Sequence, residues 1–170
     1  NSDGFYERDG EEIGFVISVM SGEQDRIDIA QAAAQQLKEV GIDCTVEVPT
    51  EVDWGGQMAY LIGWGSPFDA DDHTYKVFGT DKGANYSSYS NALVDQYLIE
   101  ARESADPAVR AEAYDKFQEE LAKDPAFTFI CYIDANYVAN SSIQGISADT
   151  VMGHHGVGIF WNVADWTIGN

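Results

Sequence analysis

The chain has 170 residues, of which 45% are hydrophobic and 12% aromatic, a composition that supports a packed globular domain and argues against intrinsic disorder. Its 29 acidic residues outnumber 9 Lys and Arg, so the formal net charge of -20 argues against nucleic acid and anionic membranes as partners. No apolar run reaches the roughly 18 residues of a membrane span. The first four residues show no basic and apolar run like that of a signal peptide.

A strand and a helix are predicted near the start. Residues 13–20 form an almost unbroken apolar, β-branched run, typical of a strand buried on both faces of a largely parallel sheet. Ser21 and Gln24 have the spacing of a capping box, and apolar residues at steps of three and four predict a helix over about residues 24–40. Gly41 follows where a C-terminal cap is expected.

Two more strands are predicted next. Residues 43–48 alternate between polar and apolar, and residues 58–63 form an apolar run expected to be fully buried. The order strand, helix, strand implies a right-handed crossover and a parallel pair. We therefore expect an α/β fold with a mostly parallel central sheet flanked by helices.

The second half of the chain is predicted to contain two long helices. One covers about residues 91–103, and the other begins at Asp106, with Pro107 in the first helical position. After the second helix, residues 127–133 are predicted to form a strand.

The last part of the chain has a different character. Residues 143–170 are glycine-rich and contain the aromatic residues Phe160, Trp161 and Trp166. This composition predicts an irregular tail that packs against another surface. We therefore divide the chain into an α/β lobe, residues 1–142, and this tail.

The two cysteines are expected to be buried thiols. Cys44 and Cys131 lie far apart in sequence and form no C-x-x-C motif, which argues against a zinc or redox site. Both occur within apolar strand patterns. Whether they could approach closely enough to pair is not fixed by their spacing.

The segment after the third predicted strand is the best candidate for a binding site, because ligands of open α/β sheets bind outside the carboxyl ends of the strands. Trp64 and Phe68 offer flat apolar surfaces, and Asp69 and Asp71 are suited to a cationic group. His73 is a candidate contact for a metal chelate. No catalytic residue, protein-bound metal or cofactor is assigned.

Other interpretations of this segment stay open. Motifs such as G-x-S-x-G and H-E-x-x-H are missing, so an enzyme would depend on scattered residues. The alternative function is a carboxylate-dependent hydrolase that uses Asp69 and Asp71. Calcium binding by these two residues and Asp72 would lack the remaining oxygens of a calcium loop. A solvated acidic turn with a structural His73 is the plainest alternative.

Five short motifs occur in order along the chain. They are Asp3-Gly4-Phe5 through Arg8-Asp9-Gly10, Gly41-Ile42, Gly63-Trp64-Gly65, Asn85-Tyr86-Ser87 through Tyr89-Ser90-Asn91 with Val94-Asp95, and Ala105-Asp106-Pro107 with Arg110. In this order and spacing they resemble the C-terminal lobe of the solute-binding proteins of peptide and nickel ABC importers (family 5). The tail, with Gly153-His154-His155 and Asn162-Val163, is similar to the end of dipeptide receptors.

The resemblance implies one lobe of a type II periplasmic-binding-protein-like fold, in a larger protein whose N-terminal portion is absent here. That protein would be a non-enzymatic importer component that captures oligopeptides, dipeptides or a nickel chelate outside the cytoplasmic membrane. Permease subunits in the membrane would be its partners, and its address would be periplasmic or lipid-anchored. The tail, residues 143–170, would pack toward the N-terminal lobe.

Two departures from the family bear on the ligand. Pro67 stands where dipeptide receptors carry the aspartate that pairs with the ligand's amino terminus, whereas Trp64, Pro67, Phe68 and Asp69 resemble nickel receptors. This similarity favours a metal chelate or a modified ligand. Residues 49–57 also form a shorter connection than the family's helix-bearing one, which predicts that a helix is missing beside the cleft.

Overall fold

A computed structural model describes residues 4–65, 69–133, 136–147 and 158–169. The chain divides into two compact units, Asn1–Gly63 and Trp64–Asn170. Four helices and seven strands are assigned among the described residues, and most of the strands are only two residues long. None of the helices in these ranges has the length and apolar character needed to cross a membrane.

The first unit contains a parallel sheet and one helix. An antiparallel hairpin precedes the parallel sheet and consists of β1 (Glu7–Arg8) and β2 (Glu11–Glu12). The later elements are β3 (Gly14–Ser18), α1 (Gln24–Glu39), β4 (Asp43–Glu47) and β5 (Ala59–Tyr60). The strand order is β4-β3-β5 with both pairings parallel, which confirms the predicted parallel pair.

The helix α1 packs on this sheet through the predicted apolar face. Ile27 and Ala30 are buried in one cluster with Val19, and the half-buried Ile17 and Val46 pack against that cluster. Burying a side chain of this size removes apolar surface from water and stabilises the fold by about 1.5–3 kcal/mol. The helix therefore stays on the sheet because of its apolar face rather than its intrinsic propensity.

The two ends of α1 differ in how well the sequence predicts them. At the carboxyl end, Gly41 has φ +84° and its N–H donates to Lys38, while the Ile42 N–H donates to Leu37, which is a Schellman cap. At the amino end the predicted capping box is wrong. The N-cap is Glu23, without a side-chain hydrogen bond, and the Gln24 side chain donates to Asp28 one turn further on.

The sheet is less enclosed than predicted. The middle residues of β3 are half-buried, because α1 is the one helix among this unit's described residues. The third strand is shorter than the predicted 58–63 and is also half-buried, with Met58 75% exposed. Residues 49–57 carry no helix, as the short connection predicts.

The second unit is built from helices. They are α2 (Ala70–Phe78), α3 (Ala92–Glu103) and α4 (Pro107–Lys123). The core between them contains Val94, Leu98, Phe117 and Leu121, with Tyr75 and Phe78 of α2 packed against it.

Side-chain caps begin both α3 and α4, and the cap at Asp106 is as predicted. Asn91 Oδ1 accepts from the Leu93 N–H at 2.9 Å, and Asp106 Oδ1 accepts from the Ala108 N–H at 2.8 Å. Each cap pairs a backbone donor that has no partner within the helix and contributes about 1 kcal/mol.

The predicted strand at 127–133 is wrong. No strand is assigned there, and Phe129 and Tyr132 are 69% and 102% exposed. A strand needs a partner for its backbone groups, and the described residues provide none at this segment. For the same reason Cys131 is exposed, contrary to the prediction, whereas Cys44 is buried as predicted, and both cysteines are free thiols.

The sequence predicts an irregular tail, but its described residues contain two short strands and a 3-10 helix. The strands β6 (Ile143–Gln144) and β7 (Thr167–Ile168) pair antiparallel, and a 3-10 helix covers Val163–Asp165. Asn162 links them, since its amide donates to the Gly145 carbonyl and its Oδ1 accepts from the Trp166 indole, both at 2.9 Å.

Candidate ligand-binding site

Trp64 follows β5 by four residues and lies at the start of the segment that the sequence singled out. Its side chain is 36% exposed. Its ring centroid lies 6.1 Å from that of Tyr86, with the planes inclined by 21°, and 5.6 Å from the His73 ring. Both distances fall in the range of attractive aromatic pairs. The indole is therefore supported by two rings and keeps part of its surface open to solvent.

Gly63, just before Trp64, lies close to the Arg26 guanidinium. A Cβ atom added there would lie 2.6 Å from Nη2 of Arg26. That guanidinium is held by an ion pair of 2.9 Å with Glu23 at the start of α1. A larger residue at Gly63 would displace Arg26 from this position.

The aspartates after Trp64 begin a helix, whereas the sequence indicated a loop. Asp69 is the N-cap of α2, and its Oδ1 accepts from the Asp71 N–H at 2.8 Å. Asp71 and Asp72 lie in the first turn, where negative charge is favoured by the helix dipole. The signal that could have found this helix is an aspartate cap followed by an acidic first turn.

Asp69 is also held by a cation from α4. Arg110 Nη2 donates to Asp69 Oδ1 at 2.6 Å. The Asp71 N–H and then the Arg110 guanidinium lower the pKa of the Asp69 carboxyl below its usual range. The carboxylate is therefore ionised and engaged within the unit.

The other two carboxylates also lie near cations of the same unit. Asp71 Oδ2 is 3.7 Å from Arg102 Nε, and Asp72 Oδ1 is 3.1 Å from Lys76 Nζ. Arg102 also lies 4.1 Å from the ring centroid of Tyr75. The aspartate cluster is thus partly neutralised by neighbouring side chains.

His73 lies inside α2 rather than in a ligand-facing loop. It is 8% exposed, and its Nε2 lies 3.9 Å from Asp72 Oδ2. Its ring contacts Trp64, so it supports the indole from within the helix. This position suits a structural role more directly than contact with a ligand.

Asn85 organises the loop that carries Tyr86, a role that sequence reasoning missed. Its amide donates to the carbonyls of Gly79 and Tyr89 at 2.9 and 2.7 Å, and its Oδ1 accepts from the Tyr89 N–H at 3.0 Å. Nearby, Asp95 Oδ1 accepts from the Thr80 N–H at 2.8 Å. The Asn-Tyr-Ser motif thus positions the ring that stacks on Trp64.

Several candidates fall outside the described residues. They are Pro67 and Phe68, which follow Trp64 by three and four residues, and His154 and His155 of the tail. Within the residues that the structure does describe, no group of three or more His, Cys, Asp or Glu side chains is placed to hold a metal ion.

The chain is similar to two curated bacterial proteins. Protein XP55 of Streptomyces lividans is 35% identical over 153 residues, covering 86% of this chain and 28% of that protein. The oligopeptide-binding protein AppA of Bacillus subtilis is 26% identical, covering 98% of this chain and 31% of that protein. No family model matches the chain.

Solved structures show the same relationship. NikZ of Campylobacter jejuni, in complex with Ni(L-His), is 34% identical with a TM-score of 0.83, covering 98% of this chain and 36% of NikZ. AppA of Bacillus subtilis, in complex with a nonapeptide, shares the fold with a TM-score of 0.73 at 23% identity, over 100% of this chain and 34% of AppA.

The chain spans about a third of the length of the relatives it matches. The similarity extends over both compact units, since it covers nearly the whole chain. Its α/β fold and sequence thus match a lobe of the solute-binding proteins of the peptide and nickel type (family 5), the resemblance that the five motifs predict.

Proposed function

We propose that this chain is one lobe of the substrate-binding component of an ABC importer. That component captures a small peptide or a nickel chelate outside the cytoplasmic membrane and delivers it to permease subunits. The observation that carries the proposal is the similarity to NikZ, at 34% identity and a TM-score of 0.83 over 98% of the chain. NikZ was solved with Ni(L-His) and AppA with a nonapeptide, so both ligand classes occur among the relatives.

Trp64 is the principal ligand contact of this lobe in the proposal. Its indole is partly exposed and supported by Tyr86 and His73, so it offers a fixed flat surface on which a ligand can stack. Phe68 is proposed to add a second apolar surface, because it is four residues further along the same segment. Supported aromatic residues of this kind contribute much of the binding energy at protein interfaces.

We propose that Asp69, Asp71 and His73 all act close to the ligand. The two aspartates act through their negative charge, and His73 acts through its contact with Trp64. The Asp69 side chain is 61% exposed beside Arg110, so Asp69 is the carboxylate proposed to meet a cationic group. Asp71 is less accessible, because its Oδ2 lies near Arg102 and its Oδ1 is buried, so it is proposed to contribute mainly through its charge. His73 is buried and acts by supporting Trp64.

Between the two ligand classes, we propose a nickel chelate, because the similarity of the segment after Trp64 to nickel receptors favours a metal chelate or a modified ligand. The resemblance implies that Pro67 stands where dipeptide receptors carry the aspartate that pairs with the ligand's amino terminus. The described residues contain no cluster able to hold a bare metal ion, so the ion would arrive with its own chelating groups, as nickel does with histidine. Stacking on Trp64 suits an imidazole-containing chelate.

The alternative of a carboxylate-dependent hydrolase is not favoured. A general acid at neutral pH needs a raised carboxyl pKa, whereas the pKa of Asp69 is lowered. Asp71 lies 3.7 Å from Arg102 Nε and is thus engaged by a cation of its own unit.

The remaining part of the proposed protein would cover two exposed apolar surfaces of this chain. The tail, residues 143–170, exposes 56% of Phe160 and 66% of Trp161. Residues 127–133 expose further apolar side chains, including Tyr132. Contiguous exposed apolar surface marks an interaction site, and we propose that both segments face the N-terminal lobe.

Native mass spectrometry of the protein extended to the relatives' length tests the proposed function. We expect a retained mass that matches a small peptide or a nickel chelate and disappears on unfolding. Added ligand should change tryptophan fluorescence and be recovered intact. Recovery of a hydrolysed product instead would favour the hydrolase.

A further inference from the structure

We propose that Arg110 is a positioning residue that fixes Trp64 for ligand binding by holding the N-terminus of α2. None of the described contacts joins Arg110 to Trp64 itself. It acts through Asp69, which lies five residues after Trp64 and caps the helix that carries His73.

The guanidinium of Arg110 joins three helices. Its Nη2 donates to Asp69 Oδ1 at 2.6 Å, and its Nη1 donates to the Ala101 carbonyl at 2.9 Å. Ala101 lies in the last turn of α3, where carbonyls lack partners within the helix. Arg110 itself lies in the first turn of α4. One side chain thus connects the start of α2, the end of α3 and the start of α4.

Burial and geometry make this connection specific. The Arg110 side chain is 24% exposed and lies 5.7 Å from the ring centroid of Tyr114. The planar guanidinium donates to two acceptors from two separate nitrogen atoms in a fixed orientation, whereas lysine has one nitrogen atom and no such planar fork. Asp69 Oδ1 accepts from both Arg110 and the Asp71 N–H, so the cap and the ion pair share one oxygen atom.

The helix α2 is the element through which a loss of Arg110 would affect Trp64. The indole contacts His73, the fourth residue of α2, and Asp69, which caps this helix, follows Trp64 by five residues. If Arg110 is removed, the start of α2 loses its ion pair to α4 and its link to the Ala101 carbonyl, while the contact of Asp71 with Arg102 of α3 remains. Trp64 then loses a fixed support on one side, while its contact with Tyr86 remains.

The test follows Trp64 by fluorescence, independently of any ligand. A background with Trp54, Trp161 and Trp166 replaced by Phe leaves Trp64 as the single indole. In that background we compare Arg110→Gln, Arg110→Lys and Asp69→Asn. The matched control is Lys116→Gln, which breaks an ion pair of 2.7 Å with Glu112 on the same helix.

We expect Arg110→Gln to raise the acrylamide quenching constant of Trp64 by at least about twofold, because local opening at the helix start increases access to the indole. Arg110→Lys should recover only part of the change. Asp69→Asn keeps an N-cap side chain but loses the ionic partner, so it should resemble Arg110→Gln, and combining the two should add little. Lys116→Gln should leave quenching unchanged.

Unchanged Trp64 quenching in Arg110→Gln, with circular dichroism that shows an intact fold, would overturn the positioning role. If Arg110→Gln does not fold, Arg110→Lys and Asp69→Asn decide the question by the same readout. Additive effects of Asp69→Asn and Arg110→Gln would also overturn it, because they would show that the residues act independently.

The importance of this positioning for binding rests on the proposed function. In the protein extended to the relatives' length, Arg110→Gln should raise the dissociation constant for nickel with L-histidine by about tenfold, or about 1.4 kcal/mol. Wild-type protein that binds neither this chelate nor a nonapeptide would contradict the proposed function, and the quenching result would still decide the role of Arg110. Wild-type binding with no weakening in Arg110→Gln would overturn the role of Arg110 alone.

Discussion

The indole of Trp64 stacks on the ring of Tyr86, with centroids 6.1 Å apart and planes inclined by 21°. This pair joins two of the motifs that carry the family resemblance, Gly63-Trp64-Gly65 and Asn85-Tyr86-Ser87. The motifs are separated by about twenty residues in sequence, and the helix α2 lies between them. The stacking explains why both occur together, because one supplies the exposed ring and the other supports it.

Replacing Trp64 by Ala should weaken ligand binding in the extended protein by about 2 kcal/mol, or roughly 30-fold, because a supported aromatic surface is lost. Trp64→Phe should retain part of the affinity. Leu93→Ala, at an exposed position of α3, serves as the control and should have no effect. Calorimetric titration measures all three, and unchanged affinity in Trp64→Ala would place the ligand elsewhere.

Replacing Asn85 by Ala should destabilise the fold by about 1–3 kcal/mol, because buried hydrogen-bond partners lose their side-chain bonds. The carbonyls of Gly79 and Tyr89 and the Tyr89 N–H are affected. Ser87→Ala removes one exposed hydrogen bond to Asn85 and is the matched control. Urea unfolding should separate the two variants, and equal midpoints would show that the loop does not depend on Asn85.

The sequence predicts α1, α3 and α4 well because each carries a local signal that tertiary contacts reinforce. The side chains of Asn91 and Asp106 cap α3 and α4, and the Schellman cap at Gly41 ends α1. Such signals lie within a few residues of one another, so they can be recognised without knowing the rest of the fold.

The helix α2 was not predicted, because its nine residues contain few aliphatic side chains. Its buried positions are His73 and Val77, and its other core contacts are made by Tyr75 and Phe78. A periodicity search responds mainly to aliphatic repeats, and this helix depends on packing against α3 and α4. The change from loop to helix gives Asp69 a capping role that the sequence did not predict, while its contact with a ligand stays a proposal.

The failure at residues 127–133 has a different cause. The apolar pattern correctly identifies side chains that avoid water, but a strand also needs a neighbouring strand for its backbone groups. No such neighbour occurs among the described residues, and Tyr132 is fully exposed. The local sequence pattern indicates which conformation a segment prefers. It does not indicate whether a neighbouring strand is present to pair with it.

The stability advantage of wild type over Asp69→Asn should depend on pH. The folded-state pKa of Asp69 is depressed, so its contribution is present above the ordinary aspartate pKa and is lost as the pH falls through the folded value. The difference in unfolding free energy between the two proteins should therefore shrink as the pH is lowered from about 6 to about 3. Urea unfolding across this range measures it, and a difference independent of pH would contradict the pairing with Arg110.

The two cysteines should react at very different rates. Cys131 is exposed, whereas Cys44 is buried and its pKa is raised by burial, which disfavours the reactive thiolate. A thiol reagent should modify one site rapidly in the folded protein and the second only on unfolding. Cys131→Ser should remove the rapid phase, and a rapid phase that survives this substitution would show that Cys44 is accessible.

The central claim, that this chain supplies one wall of a ligand site, is tested most directly by calorimetry on two proteins. Nickel with L-histidine, and separately a nonapeptide, are titrated into the 170-residue chain and into the protein extended to the relatives' length. We predict that the extended protein binds one of them with a micromolar or lower dissociation constant. The 170-residue chain should bind at least about 100-fold more weakly, because closure between two lobes buries the ligand. Equal sub-micromolar affinity in both proteins would contradict the account and show that this chain is a complete binding domain.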